Sequence, residues 1–463
     1  MDRSDWALLA AYLLAAALGT WTRCLLVHDG AILLTAGWLG DAWDLYFSQN
    51  ASRAVSTLLS FGPVWLVRRA FGPSAGTYMV LGHVFYFAMA LVPWRVLRAI
   101  EPHRLFSRLY LAVTLAMIYF LAEVVFGVAF WLMWLAVIVR PARTTAQIAL
   151  ATLLLGIAMA FCHPVTGLMT LVYLVAGGVL VGLRRPFPRR TLVAGAALAV
   201  LLLLAYFAQS RGMAATNPTI LNAVSIIRFG YIDPTWMAAT MVIFPMLAAL
   251  WLLLLVPGFA AAGMRLSRLT VILIAVFGLW FAAAGTGMLT WLYARHTAAY
   301  IVAVAAALAL LQPALWCAEA RRALVLYALV VSTAFVSYAV DLTLFGRFID
   351  RYPASGWADV DRQPAPWLTE FAGGGATRIA FKWGAGQDYV RDMVVPTFDW
   401  YRLTLAFYTY FHSDRHRVLY HLVERPGDWK PYECPALARA RALPHDATDL
   451  KFIDFLAEHY CPR

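Results

Sequence analysis

The acids that could serve as bases in this chain are few, and each stands beside an apolar run. Asp41 and Asp44 occur in Gly40-Asp41-Ala42-Trp43-Asp44, soon after the first apolar segment. A spacing of three puts both carboxylates on one side of a helix. Such a pair could orient or deprotonate a hydroxyl; it also fits a solvated loop or a helix cap. Glu123 is the only charged residue between Arg108 and Arg140 and falls where the chain must turn, so it reads either as a second acid or as a water-exposed turn residue. His163, in Phe161-Cys162-His163-Pro164, closes the fifth apolar run and is either a further site residue or a histidine bonded to backbone. Arg295 and His296, in Trp291-Leu292-Tyr293-Ala294-Arg295-His296, form a basic pair suited to an anion, and Arg228 in Ile227-Arg228-Phe229-Gly230-Tyr231 is of the same kind. His83, inside the second apolar run, reads as structural. An ionisable group at membrane depth costs about 2.5–3.5 kcal/mol, so those that persist invite a functional reading.

The elements that must hold these residues are membrane helices. Of the 463 residues 62% are hydrophobic and 13% charged, and the mean hydropathy is +0.70. No soluble domain has that composition. Backbone polar groups in hydrocarbon must be satisfied within the chain, which leaves helices or a closed barrel, and unbroken runs such as 191–207 and 297–311 lack the alternation of barrel strands. The first run, 6–22, lacks the small-residue cleavage site of a signal peptide and reads as a retained span.

The net charge of +12 does not point to nucleic acid. From Phe345 to Arg463 there are 15 basic and 15 acidic residues, so the excess lies in the apolar part, with 22 basic against 10 acidic. Arginines gather in five short connections: Arg95 to Arg108, Arg140 and Arg143, Arg184 to Arg190, Arg265 and Arg268, and Arg321 and Arg322. The positive-inside rule makes these connections cytoplasmic. About eleven spans follow, near 6–22, 76–94, 107–121, 126–140, 147–163, 165–183, 191–208, 236–257, 269–287, 298–316 and 323–341. One helix over 109–139 would be about 46 Å long, too long for a core of about 30 Å, so two short helices breaking around Glu123 to Gly127 are expected. Residues 51–71 mix Val and Leu with Arg53, Arg68 and Arg69, the pattern of an amphipathic helix lying in the interface, with a break expected at Gly62 and Pro63.

The expected fold is therefore an all-α polytopic membrane domain over 1–344, followed by a small mixed soluble domain over 345–463 on the side away from the cytoplasm. Cys24, Cys162 and Cys317 lie at span edges and read as small apolar residues, whereas Cys434 and Cys461 share the tail domain and could bridge in an oxidising compartment. The sequence has no Walker loop, no His-Glu-x-x-His pair, no Gly-x-Ser-x-Gly elbow and no Cys-x-x-Cys. Nucleotide hydrolysis, zinc proteolysis and thiol redox chemistry lose support accordingly.

The layout of an acid pair after the first span, an amphipathic helix in the same outer loop, a second acid in the next outer loop and a tail domain resembles the C-type fold of membrane glycosyltransferases. Enzymes of that superfamily use sugars carried on polyprenyl phosphate. The resemblance covers roughly residues 1–340 in architecture. It implies that Asp41 or Asp44 takes the place of the first acid, 51–71 that of the amphipathic helix and Glu123 that of the second acid, although Asp-x-x-Asp departs from the adjacent acid pair common in the superfamily. The reaction implied is transfer of a sugar to a lipid or glycan acceptor at the outer face of a bacterial inner membrane, with Asp41 as base and Arg295 with His296 on the donor phosphate. No cofactor is required by these residues, and a divalent metal stays open. Partners would be the lipid-linked sugar, the acceptor and membrane lipid, with no nucleic acid. A polymerase or ligase using polyprenyl-diphosphate glycans, a transporter, or a non-catalytic assembly subunit are the other readings.

Overall fold

The computed structural model describes residues 3–26, 29–38, 40, 51–101, 104–117, 123–140, 143–182 and 187–212, together with isolated positions at 302–310 and 438–457. Every regular element among these described residues is helical, and no strand occurs among them. The α-helices in chain order are α1 (Arg3–Trp21), α2 (Asp29–Trp38), α3 (Ala54–Phe71), α4 (Ala75–Ile100), α5 (Leu105–Met117), α6 (Glu123–Ile138), α7 (Thr145–Ala160), α8 (Val165–Gly182) and α9 (Arg189–Gly212). Apart from those isolated positions, the expected spans that begin at 236 and beyond and the tail domain 345–463 lie outside the described residues, as does the Cys434 to Cys461 bridge.

Three helices have the length and apolarity of membrane spans: Gly76–Ile100, Val165–Gly182 and Arg189–Gln209. Shorter apolar helices cover Asp5–Trp21, Leu105–Leu115, Val124–Ile138 and Thr145–Ala160. These helices mark the chain as a membrane protein. Their outward surfaces agree: Leu13, Leu14, Leu153, Leu154, Val193, Leu203, Leu204 and Phe207 are exposed and would meet lipid. Trp6 and Trp21, both exposed near the two ends of α1, stand about 22 Å apart at 1.5 Å per residue, the placement of interfacial aromatic belts.

Hydrocarbon gives helices no hydrophobic reason to associate, so the bundle is joined by close packing and by hydroxyl and indole hydrogen bonds. Tyr12 Oη donates to Phe87 O at 2.6 Å and Tyr110 Oη to Ala90 O at 2.7 Å, tying α1 and α5 to α4. Trp131 Nε1 donates to Thr170 Oγ1 at 3.3 Å and Trp134 Nε1 to Thr152 Oγ1 at 3.0 Å, tying α6 to α8 and α7. Both indoles pack edge-on to Tyr173. The fully buried His83 donates from Nδ1 to Met79 O at 2.8 Å and accepts Leu25 N–H on Nε2 at 3.1 Å, which makes it a structural residue anchoring the 3₁₀ turn Cys24–Leu26. Cys24 and Cys162 are both buried.

Two expectations are corrected. The break between α5 and α6 is not at Glu123 to Gly127: α5 ends at Met117 and Glu123 is already the first residue of α6. Gly127 serves packing instead, since a Cβ on it would sit 2.7 Å from the Thr166 methyl carbon. Nor does α3 break at Gly62 and Pro63; it runs unbroken for 18 residues with Pro63 inside. The proline removes one hydrogen bond, to the carbonyl of Leu59, while burial of Phe61 and Val64 on either side holds the helix together. Helix α2, in the segment between α1 and α3, has no counterpart among the expected elements.

Hydrogen bonds sort the helix ends into two sets. At one end lie the start of α1, the end of α4 and the start of α5, joined through Asp5. The end of α6 and the start of α9 meet where Arg190 Nη2 donates to Val139 O. At the other end the α7–α8 turn meets the start of α3 and the end of α9, where Val55 N donates to Phe161 O at 2.8 Å and Gln209 Nε2 to Ala160 O at 3.2 Å. Among the described residues, the arginines at 98, 104, 108 and 190 and the His163 turn thus belong to opposite ends.

Candidate functional site

Helix α3 organises the end that carries His163 and the start of α6. Its amphipathicity is turned inside out relative to a soluble helix: Ser56, Thr57, Ser60 and Arg68 are buried, whereas Leu58, Leu66 and Phe71 are exposed. An interfacial helix with its apolar side toward lipid and its polar side toward the protein has this pattern.

The amino end of α3 docks on the α7–α8 turn. Besides the Val55 to Phe161 bond, Ser56 Oγ donates to Cys162 O at 2.9 Å. The 3₁₀ turn Ala51–Arg53 leads into it. Ser52 Oγ and Thr57 Oγ1 are buried without a hydrogen-bond partner among the described residues, an arrangement that costs energy unless a ligand or water completes it.

The carboxyl end of α3 holds the end of α2. Arg68 is buried, its guanidinium lies 5.3 Å from the centroid of the Trp38 ring, and its Nε donates to Trp38 O at 3.4 Å. Trp65 Nε1 donates to Leu33 O at 3.1 Å, and Tyr78 Oη from α4 to Leu34 O at 2.8 Å. Gly40, with φ of 73°, turns the chain after α2 in the left-handed region open to glycine. The next residues are Asp41 and Asp44. The chain therefore enters the acid-bearing segment beside a buried arginine, a residue that the sequence marks only as part of the amphipathic helix.

Of the expected site residues, Asp41, Asp44, Arg228, Arg295, His296, Cys434 and Cys461 lie outside the described residues. Glu123 is placed by backbone only, as the first residue of α6. That end of α6 adjoins the α7–α8 turn, because Gly127 packs on Thr166 and Cys162. His163 is buried in the turn, and its Nδ1 accepts Val165 N–H at 3.1 Å, so that ring nitrogen is unprotonated. Its carbonyl accepts Thr166 Oγ1–H at 2.9 Å and Tyr206 Oη–H at 3.2 Å. These are the bonds of a histidine that caps α8 and joins α9 to the turn. Among the described residues no group of three His, Cys, Asp or Glu could hold a metal ion.

The geometry collects at one end of the bundle the start of the Glu123 helix, the His163 turn and the two ends of α3, one of which holds the end of α2 next to Gly40. A polar, partly unsatisfied helix face of this kind could hold a hydroxylated ligand. No family model, curated protein or solved structure matches this chain.

Proposed function

We propose that the chain is a membrane glycosyltransferase that moves a sugar from a polyprenyl-phosphate donor to a lipid or glycan acceptor at the end of the bundle organised by α3. The observation that carries this reading is the inward polar face of α3, with Arg68 at one end beside the approach to Asp41 and the His163 turn at the other. A sugar on a lipid phosphate is already activated, and the protein has to orient the acceptor, take its proton and hold the departing phosphate. Asp41 takes the proton as the acceptor oxygen bonds to the anomeric carbon. The bond from that carbon to the phosphate oxygen breaks, and polyprenyl phosphate leaves against Arg295 and His296. Asp44 or Glu123 positions the acceptor. The α3 end faces away from the cytoplasm, in the periplasm of a bacterial inner membrane, and residues 345–463 form a domain on the same side.

The test is transfer of radiolabelled sugar from polyprenyl-phosphate donor in proteoliposomes. Asp41→Asn should lower the rate by about 10² to 10⁴, the size of a general-base contribution. Near-normal transfer by Asp41→Asn would move the role to Asp44, and near-normal transfer by the double replacement would remove the mechanism. A reporter active only in the cytoplasm should be silent when fused after Asp350; strong activity there would invert the topology.

A further inference from the structure

Helix α7 measures the distance between the two surfaces of the bundle, because both of its ends are marked. Its start carries the exposed Thr144 and Gln147, which close a capping box. Its far end meets the interfacial helix α3, where Val55 N donates to Phe161 O at 2.8 Å directly after α7. Between these marks run 16 residues, about 24 Å at 1.5 Å per residue. Any tilt of the helix makes the height smaller.

The lipid-facing residues of three other helices give the same height. On α1 the exposed Trp6 and Trp21 stand about 22 Å apart, and on α9 the outermost large apolar residues that are exposed, Val193 and Phe207, stand about 21 Å apart. Helix α4 has 26 residues, enough for about 39 Å, yet its exposed large apolar residues run only from Val80 to Val96, about 24 Å. The rims are polar: Ser74 and Thr77 are exposed beyond Val80, Arg95 beside Val96, and Arg189 and Arg190 before Val193.

A typical hydrocarbon core is about 30 Å thick, so a belt of about 21–24 Å leaves roughly 6 Å or more of it unmatched. Mismatch of this sign is met by thinning the bilayer, by snorkelling of flanking side chains or by association of copies. Snorkelling needs long charged side chains at the rim, and the α3 end of α7 closes instead on a turn whose histidine, His163, is buried. We infer that the belt fits a bilayer of short acyl chains, with a core of about 24 Å, and that the bundle thins an ordinary bilayer beside α7 and α9 by about 6 Å. The fit follows from helix heights among the described residues and holds whatever reaction the chain performs.

The test places the full chain in phosphatidylcholine nanodiscs with myristoleoyl, oleoyl or erucoyl chains. Cryo-electron microscopy reads the distance between the two headgroup layers beside the bundle and at the disc rim. In oleoyl discs the layers should approach each other by about 6 Å beside the bundle, with a smaller difference in myristoleoyl discs and a larger one in erucoyl discs. The melting temperature should be highest with myristoleoyl chains and lowest with erucoyl chains. Lipid of uniform thickness around a single copy in oleoyl discs would overturn the fit, as would a melting temperature that rises with chain length. Paired copies in lipid of unchanged thickness would overturn it too, by assigning the mismatch to association.

Discussion

Arg108 donates its Nε proton to Asp5 Oδ1 at 2.8 Å across 103 positions of sequence, joining the first turn of α1 to the first turn of α5. Counted along the chain, Arg108 is one more positive-inside charge. In the fold it is half of a buried ion pair that fixes how α1 stands against α4 and α5.

Removing the acid should therefore be costly. Asp5→Asn leaves three guanidinium groups around a neutral side chain, and breaking a buried pair from one side costs roughly 3–5 kcal/mol. A lower melting temperature in detergent is expected, with Asp5→Glu recovering much of the loss because the charge survives. A melting temperature unchanged by Asp5→Asn would mean that the cluster is held by solvent.

Gly37 and Gly62 should respond in opposite senses to the same substitution. A Cβ on Gly37 would run into the indole of Trp65 and stand 2.6 Å from Tyr78 Oη, the two groups that clamp α2. Overpacking of this kind costs about 1–3 kcal/mol, so Gly37→Ala should melt earlier and weaken the Trp65 bond to Leu33. A Cβ added to Gly62, in the middle of α3, would meet nothing within 4 Å, and Gly62→Ala should gain about 0.5–1 kcal/mol from helix propensity. Thermal unfolding of the two variants side by side checks both.

Glu101 gives the described part of the chain a pH dependence. It lies between α4 and α5, outside the spans, and burial pushes its carboxyl up to about 7, against the opposing pull of the Ser107, Phe106 and Leu105 N–H groups and of Arg108. In the unfolded chain the group titrates near its ordinary value of 4.5. Between these values the folded protein holds a proton that the unfolded chain has lost, so stability falls as pH rises through the window and levels off above it. The melting temperature of the parent chain relative to Glu101→Gln should accordingly drop from pH 5 to pH 8. A rise over that range would mean that the three N–H donors and Arg108 outweigh burial.

The helices α1 and α4 to α9 were legible because a span must be long and apolar whatever it packs against, and expected bounds such as 165–183 and 191–208 lie close to Val165–Gly182 and Arg189–Gly212. What depends on partners was not legible. Helix α2 has 10 residues, too few to read as a span, and is held in place by Trp65 and Tyr78 from two later helices. Pro63 reads as a breaker until the burial of its neighbours is known. Arg68 reads as one of three arginines in an amphipathic stretch, although it is the one that turns inward. The signal that could have singled it out is the contrast with the exposed Arg69, on a helix whose serines at 56 and 60 fall on the Arg68 side.

That inward turn makes Arg68 the most direct handle on the proposed site. Its guanidinium stacks on Trp38 and its Nε reaches Trp38 O, two residues before the Gly40 turn that leads to Asp41. A cation over an indole contributes about 0.5–2 kcal/mol, and the planar fork cannot be replaced by an ammonium group. Arg68→Ala and Arg68→Lys should both loosen the end of α2 while leaving the bundle assembled. If Arg68 acts as a positioning residue for the acid-bearing segment, both variants should lower kcat for sugar transfer by roughly tenfold or more with a smaller change in the donor KM, since the proposal assigns the donor phosphate to Arg295 and His296. The measurement is transfer kinetics in proteoliposomes, with the melting temperature followed in parallel. Equal loss of kcat and of melting temperature in Arg68→Ala, with full recovery of both in Arg68→Lys, would assign the residue to structure alone.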